Sequence, residues 1–235
     1  MTDDATADLA PDLHVPARGI LFDNDGVLVD SLAAVESAWS RWAHAHDLEP
    51  AEALSVVHGR RAADTVAALL PADRRAAGVD MIDTLEIEDA GMVAAMAGVP
   101  ALLAMLPPGS WAVVTSGTRL LATARLQAAG IPVPEVFVTA DDVAVGKPDP
   151  AGYLKCIDLL GQQLGEKLTP TDCVVFEDAP RVIDRLKPLG FYCVGVAGHI
   201  PESRFEGAAA IITGLSPEQI KAKLPQLDLY EELKL

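Results

Sequence analysis

The sequence predicts an open α/β fold: a parallel sheet covered by helices, with a helical unit inserted after the first strand. Short apolar runs rich in Val, Ile, Phe and Cys alternate with segments of helical length, and such alternation implies right-handed crossovers between parallel strands. The runs are almost continuously apolar, as strands buried on both faces must be. Residues 32–98 interrupt the alternation with helical periodicity and no strand pattern.

Taken in order, residues 1–17 form a polar tail without the basic region and apolar stretch of a secretory signal, so a cytoplasmic chain is expected. "GILF" is the first strand. "LAAVESAWSRWAHAH", "RRAADTVAALL" and "MIDTLEIEDAGMVAAMAG" then carry apolar residues at helical spacing. A unit inserted at this point lies over the carboxyl ends of the strands, where ligands bind in such folds. Residues 32–98 are therefore read as a cap, with a plain helical bulge away from any site as the alternative, and the core is expected over 18–31 and 99–235. The uncharged span from Ala90 to Thr118 approaches the length of a membrane helix, but Pro100, Pro107 and Pro108 break it, and no membrane partner is expected. "WAVVTS", "EVFVTA", "CVVFED", "YCVGVAG" and "AAIITG" complete the strands, with helices over about 118–129, 150–161 and 180–188.

Composition narrows the function. The 235 residues carry 34 Asp and Glu against 18 Lys and Arg, a formal net charge of −16. A nucleic-acid binder needs a basic footprint, so that class is disfavoured. A small anionic substrate remains compatible if a metal ion and a few cations reverse the field in one cleft. Monomer and small homo-oligomer are both compatible with the sequence. Cys156, Cys173 and Cys193 are odd in number and lack metal-ligand spacing, which favours buried free thiols.

Polar residues gather where apolar strands end: Asp23 and Asp25 after "ILF", Thr115 and Ser116 after "WAVV", Glu177 and Asp178 after "CVVF". In a parallel sheet these ends share one edge, so three distant clusters converge. Each alone has a plain structural explanation. "ILF-DNDG-VLV" has the pattern of a β-hairpin, and Asp30 or Ser31 suits a helix cap. An EF-hand is excluded, because Gly26 at the sixth position would put Leu21 first and Leu32 twelfth, where carboxylates are required. "VTSGT" is either a capped helix or an anion cradle including Thr115, Ser116 and Gly117. "VGKPDP" is either a surface turn or a rigid loop presenting Lys147 to phosphate. "FEDAP" is a solvated loop or a hard-cation ligand pair.

In this order, "FDNDGVLVDS", "VVTSG", "GKPDP" and "FEDAP" resemble the haloacid dehalogenase superfamily of phosphohydrolases over residues 19–215. The resemblance implies a Rossmann-like core with a helical cap and a phosphoaspartate mechanism that uses Mg²⁺. It implies Asp23 as nucleophile, Asp25 as proton donor and then base, Thr115 as a phosphate ligand and Lys147 as the neutralising cation. The metal would be held by Asp23, Asp178 and the backbone carbonyl of Asp25, supported by Glu177. Asp25 argues for phosphate chemistry, since true dehalogenases do not keep it. The chain is most similar in appearance to phosphatases of small sugar and polyol phosphates, the glycerol-3-phosphate and 2-deoxyglucose-6-phosphate group, through "VVHGRRAADTVAALLP". His58, Gly59, Arg60 and Arg61 would then reach substrate from the cap. The alternatives are a β-phosphoglucomutase-type mutase, which carries a cap His where Val35 aligns, and a non-catalytic binding protein on the same fold. Two departures from the family pattern stand out: Arg181-Val182 replaces the usual Ala-Gly beside the metal site, and Pro188 is expected to shorten or kink the helix that follows.

Overall fold

A computed structural model describes residues 18–225; the expected tail, residues 1–17, and the last ten residues lie outside the described part. The chain runs β1 (Gly19–Phe22), β2 (Val29–Asp30), α1 (Leu32–Ala45), α2 (Pro50–Val57), α3 (Ala62–Leu69), α4 (Arg75–Asp89), β3 (Ala94–Ala95) and α5 (Val99–Met105). It continues through β4 (Trp111–Val114), α6 (Arg119–Ala128), β5 (Phe137–Val138), α7 (Ala151–Leu164), β6 (Cys173–Glu177), α8 (Pro180–Leu186), β7 (Tyr192–Val196), β8 (Ala210–Ile212) and α9 (Pro217–Lys223).

Six of the strands form the expected Rossmann-like parallel sheet, in the order β5-β4-β1-β6-β7-β8. β1 is central, and all four of its residues are buried, which explains an apolar run with no polar alternation. Its side chains divide between two cores. Ile20 and Phe22 join Val113, Phe176 and Val194 against Leu102, Leu126 and Ile220 of α5, α6 and α9. Leu21 joins Val114 and Val175 against Tyr153 and Leu160 of α7 and Leu186 of α8. Phe22 stacks on Phe176 at 5.1 Å between centroids, locking β1 to β6 just below the polar edge. The three cysteines are buried and free.

Helices α1 to α4 close a separate core around Trp39, Trp42, Ala53, Val66 and Ile82. The spacing of Val35, Ala38, Trp39, Trp42 and Ala43 gives α1 one broad apolar face, and all five are buried. Trp42 donates its indole N–H to the Gly78 carbonyl at 2.8 Å. A side chain at Gly78 would strike Leu70, so its absence lets α4 approach.

Three expectations need correction. "ILF" and "VLV" do not form a hairpin: β1 pairs only within the parallel sheet, while Val29 and Asp30 pair antiparallel with Ala95 and Ala94. The Asp-Gly signal is absorbed by a tight loop in which the Asn24 carbonyl accepts the Leu28 and Val29 N–H groups at 2.8 and 3.0 Å. Residues 32–98 thus contain a strand, too short for periodicity to register. Ser31 precedes α1 at the capping position, but its side chain makes no cap hydrogen bond. Pro188 acts as expected: α8 ends at Leu186 and a 3₁₀ turn, Lys187–Leu189, follows. The uncharged span is divided among a 3₁₀ turn at Ala90–Met92, β3, the short α5 and β4, and no described helix is long and apolar enough to cross a membrane.

After β5 a reciprocal cap fixes the loop leading toward the sheet edge. Asp142 accepts the Thr139 N–H and hydroxyl at 2.9 and 2.8 Å and the Arg119 guanidinium at 2.6 Å. Burial alone would raise this carboxyl; the Thr139 bonds and Arg119 outweigh it and hold the carboxyl below its ordinary value. A folded-state value below the unfolded one stabilises the fold fully above the ordinary carboxylate pKa of 3.8, and that stability is lost as pH falls through the folded value. Asp142→Asn is expected to lower unfolding stability near pH 7 by about 1 kcal/mol, the usual scale of a cap. Urea titrations should show the gap between wild type and variant closing as the pH is lowered into the acid range.

Candidate active site

The carboxyl edge of the sheet brings the three predicted clusters together. Asp23 follows β1, Thr115 follows β4, and Glu177 and Asp178 end β6. Lys147, from the loop before α7, enters between them. Its ammonium lies 2.7 Å from Asp23 Oδ1 and 3.3 Å from Glu177 Oε2, with only 5% of the side chain exposed. Beneath it the Tyr153 ring faces the ammonium at 5.1 Å, and the Tyr153 hydroxyl donates to Glu177 Oε2 at 3.1 Å. The turn reading of "VGKPDP" therefore fails for its lysine, which points inward.

Asp23 is fixed by its neighbours in the sheet. Its N–H donates to the Phe176 carbonyl at 2.9 Å, and its Oδ1 accepts the Asn24 N–H at 2.7 Å. Asn24 is wholly buried and donates its amide to Asp25 at 3.3 Å, so it turns away from the cavity. Gly26 has φ +77°, and a side chain there would collide with the Asp178 carboxylate. Only glycine lets the loop after β1 close against the end of β6.

Carboxylate oxygens of Asp23, Glu177 and Asp178 lie within 4.8 Å of one another. Burial first, then mutual repulsion, pushes Glu177 and Asp178 well above the ordinary carboxyl range. Burial also raises Asp23, although Lys147 opposes it. Burial would lower Lys147, yet Asp23 and Glu177 hold it above its usual value. Three carboxylates facing one ammonium leave two negative charges uncompensated, and hard oxygen donors in this arrangement fit a divalent cation. The Asp25 side chain is outside the cluster. Val182 is buried in the first turn of α8, where a regular helical backbone needs no glycine.

Above the edge opens a cavity of about 340 Å³ that Asp23, Asp25, Thr115, Ser116, Gly117 and Asp178 share with residues of the helical unit. Thr115 Oγ1 accepts the Gly117 N–H at 3.0 Å, which leaves the hydroxyl proton for another acceptor. The capped-helix reading of "VTSGT" is borne out at Thr118, which caps α6 by accepting the Leu121 N–H. His58 and Arg60 line the cavity from the helical unit. Arg61 lines it too, but its guanidinium is engaged by Asp64 at 2.8 and 2.9 Å and by the Val143 and Ala144 carbonyls at 3.3 and 3.2 Å. It ties the helical unit to the core. Ser116 does the same, donating to the Gly59 carbonyl at 3.3 Å. Val35, Trp39, Val57 and Val79 supply the apolar wall.

Sequence reasoning missed Tyr153, Glu86 and Arg125. Arg125, on α6, donates to Asp25 at 2.8 Å and to Glu86 of α4 at 3.1 Å, with 4% of its side chain exposed. Burial would lower its pKa, but the two carboxylates hold it above the ordinary value. Glu86 is raised, chiefly by burial. A cation among Leu121, Ala122 and Leu126, the apolar face of α6, was the available signal.

Residues 17–190 match the family described as haloacid dehalogenase-like hydrolase. Hexitol phosphatase A of Escherichia coli is 42% identical over 189 residues, covering 78% of this chain and 84% of that protein. 2-Deoxyglucose-6-phosphate phosphatase 2 of Saccharomyces cerevisiae is 34% identical, over 81% of this chain and 84% of its own length. Among solved structures, a hydrolase from Pseudomonas syringae superposes with a TM-score of 0.74 at 23% identity, covering 89% of this chain and 98% of that one, which is a likeness of fold. With the shared motifs gathered at one sheet edge, these matches establish that the chain belongs to the haloacid dehalogenase-like hydrolase family.

Proposed function

We propose that the protein is a phosphoric monoester hydrolase that acts on a small phosphorylated sugar or polyol through a phosphoryl group carried on Asp23. The observation that carries this reading is the Lys147 ammonium held 2.7 Å from Asp23 within the carboxylate cluster. A carboxylate attacks an anionic phosphate only where cations screen it, and Lys147 is the protein's own contribution to that screening. Asp23, Glu177 and Asp178 would hold Mg²⁺, whose charge, once bound, offsets that of the phosphate and the attacking oxygen.

Asp23 attacks phosphorus and the bond from phosphorus to the leaving oxygen breaks, while Asp25 gives that oxygen its proton. Asp25, now ionised, accepts a proton from the water that attacks the phosphoaspartate. Inorganic phosphate leaves and Asp23 is regenerated. The Thr115 hydroxyl, its oxygen already serving the Gly117 N–H, donates its proton to a phosphate oxygen. Ser116 and Gly117 shape the loop on which the phosphate rests.

The cavity supports the substrate class. About 340 Å³ suits a small molecule, and Asp83, Asp141, His58 and Arg60 offer polar partners for hydroxyl groups across from an apolar wall. A hexitol phosphatase and a deoxyglucose-phosphate phosphatase among the relatives point the same way. A mutase reading is disfavoured by Val35, an apolar cavity residue where the mutase branch places a histidine.

Assays of phosphate release from hexitol 6-phosphates, 2-deoxyglucose 6-phosphate and glycerol phosphates should give Mg²⁺-dependent turnover that EDTA removes. Asp23→Asn is expected to lower it by ~10³-fold or more. Isomerisation of a hexose 1-phosphate without phosphate release would favour the mutase. Activity indifferent to Asp23→Asn, or none on any ester, would overturn the hydrolase reading. Lys147→Met should lower kcat by about 10²-fold, as loss of one charge-stabilising contact does. Gly26→Ala should be inactive while its far-ultraviolet circular dichroism stays that of wild type, because the added methyl meets Asp178 and not the core.

A further inference from the structure

Arg125 has no place in the reaction just described, yet it touches one of its principal groups. It stands in the second turn of α6, on the face that carries Leu121, Ala122 and Leu126 into the core. A residue placed there for packing would be apolar, since replacing a buried charge network by hydrophobic residues of similar volume is often neutral or stabilising. Its charge must therefore serve a partner. The nearer partner is Asp25 at 2.8 Å, and the other is Glu86 at 3.1 Å, on a helix of the inserted unit. The guanidinium meets these two carboxylates through its two terminal nitrogens, and its Nε is buried without a hydrogen-bond partner among the described residues.

Asp25 needs such a partner. Its other side-chain bond is to the Asn24 amide at 3.3 Å, and more than a quarter of its side chain, 28%, is exposed. The negative charges of Asp23 and Asp178 lie close enough to interact with it. Without a cation on the far side, repulsion would leave its rotamer open to solvent. Arg125 supplies that cation from the buried face of α6.

We propose that Arg125 is the positioning residue for Asp25, and that Glu86, by sharing the same guanidinium, makes the placement of Asp25 depend on the seating of α4. The inference rests on Asp25 being the proton-transfer group of the proposed hydrolysis. Arg125 does not touch the transferred phosphoryl group; it acts through Asp25.

The leaving group separates this role from simple structural support. 4-Nitrophenolate departs without a proton, so transfer from 4-nitrophenyl phosphate to Asp23 needs little from Asp25, whereas attack of water on the phosphoaspartate still needs it as base. Stopped-flow measurements on Arg125→Met should show a burst of nitrophenolate approaching one per active site, with the ratio of burst rate to steady-state rate raised about tenfold or more over wild type. On the best sugar or polyol phosphate, kcat should fall by about 10²-fold with KM changed less than about threefold. Arg125→Lys should recover part of that loss. Glu86→Gln should lower kcat by a smaller factor in wild type and add nothing further in Arg125→Met.

Equal loss of burst and steady-state rates, a change confined to KM, or no kinetic change would each overturn the proposal. Additive effects of Glu86→Gln and Arg125→Met would overturn the link to α4. Should Arg125→Met fail to fold, Arg125→Lys and Glu86→Gln carry the same burst measurement. Asp23→Asn separates the two levels: if it remains active, the reaction has been misread and this inference falls with it. If it is inactive while the Arg125 variants are kinetically silent, only the assignment of Arg125 fails.

Discussion

One buried ammonium permits everything at the polar edge of this sheet. Lys147 lies between Asp23 and Glu177, and removing it would strand two buried carboxylates. Breaking such a buried pair costs about 3–5 kcal/mol, because the charge left behind is uncompensated. The surrounding structure is arranged to hold this one cation. Tyr153 places its ring under the ammonium and its hydroxyl on Glu177, and the apolar α7 face that carries Tyr153 packs on β1 and β4. The cation is thus positioned by the core itself, and Asp23 is positioned by the cation and by its bond into β6.

Compensation at the edge is incomplete by design of the fold: the parallel sheet delivers more carboxylates to one place than the chain delivers ammonium groups. Asp25 is drawn aside by a second cation, Arg125, so the acidic residues are sorted into two groups. One group faces Lys147 and the end of β6. The other faces α6 and, through Glu86, α4. The two residues are only two apart in sequence, yet Asp23 meets Lys147 and Asp25 meets Arg125.

The sequence announced the sheet because each core strand is buried on both faces and so loses any polar alternation; "GILF" and "CVVFE" could hardly be anything else. It announced Asp23, Thr115, Glu177 and Asp178 because a parallel topology sends strand ends to one edge, and Lys147 through the Pro-flanked loop "VGKPDP". The ribbon of β2 and β3 was illegible, as two residues carry no period and the Asp-Gly pair imitated a hairpin turn. Arg125 and Glu86 were hidden for another reason: each sits in mid-helix, and sequence alone does not say which helix faces meet. Arg61 shows the converse. Its place in a basic stretch suggested substrate contact, but backbone carbonyls of the facing loop take up its guanidinium.

The ribbon has a consequence for how such a molecule diversifies. Because Val29 lies beside Ala95, the chain leaves and re-enters the core at adjacent points, and the intervening helices close their hydrophobic core on themselves. The core experiences that whole stretch as a short closed loop whatever its content, which is the condition under which insertions are tolerated. The helices above the cavity can accordingly vary in length and content while the sheet, its register and the Lys147 site stay as they are.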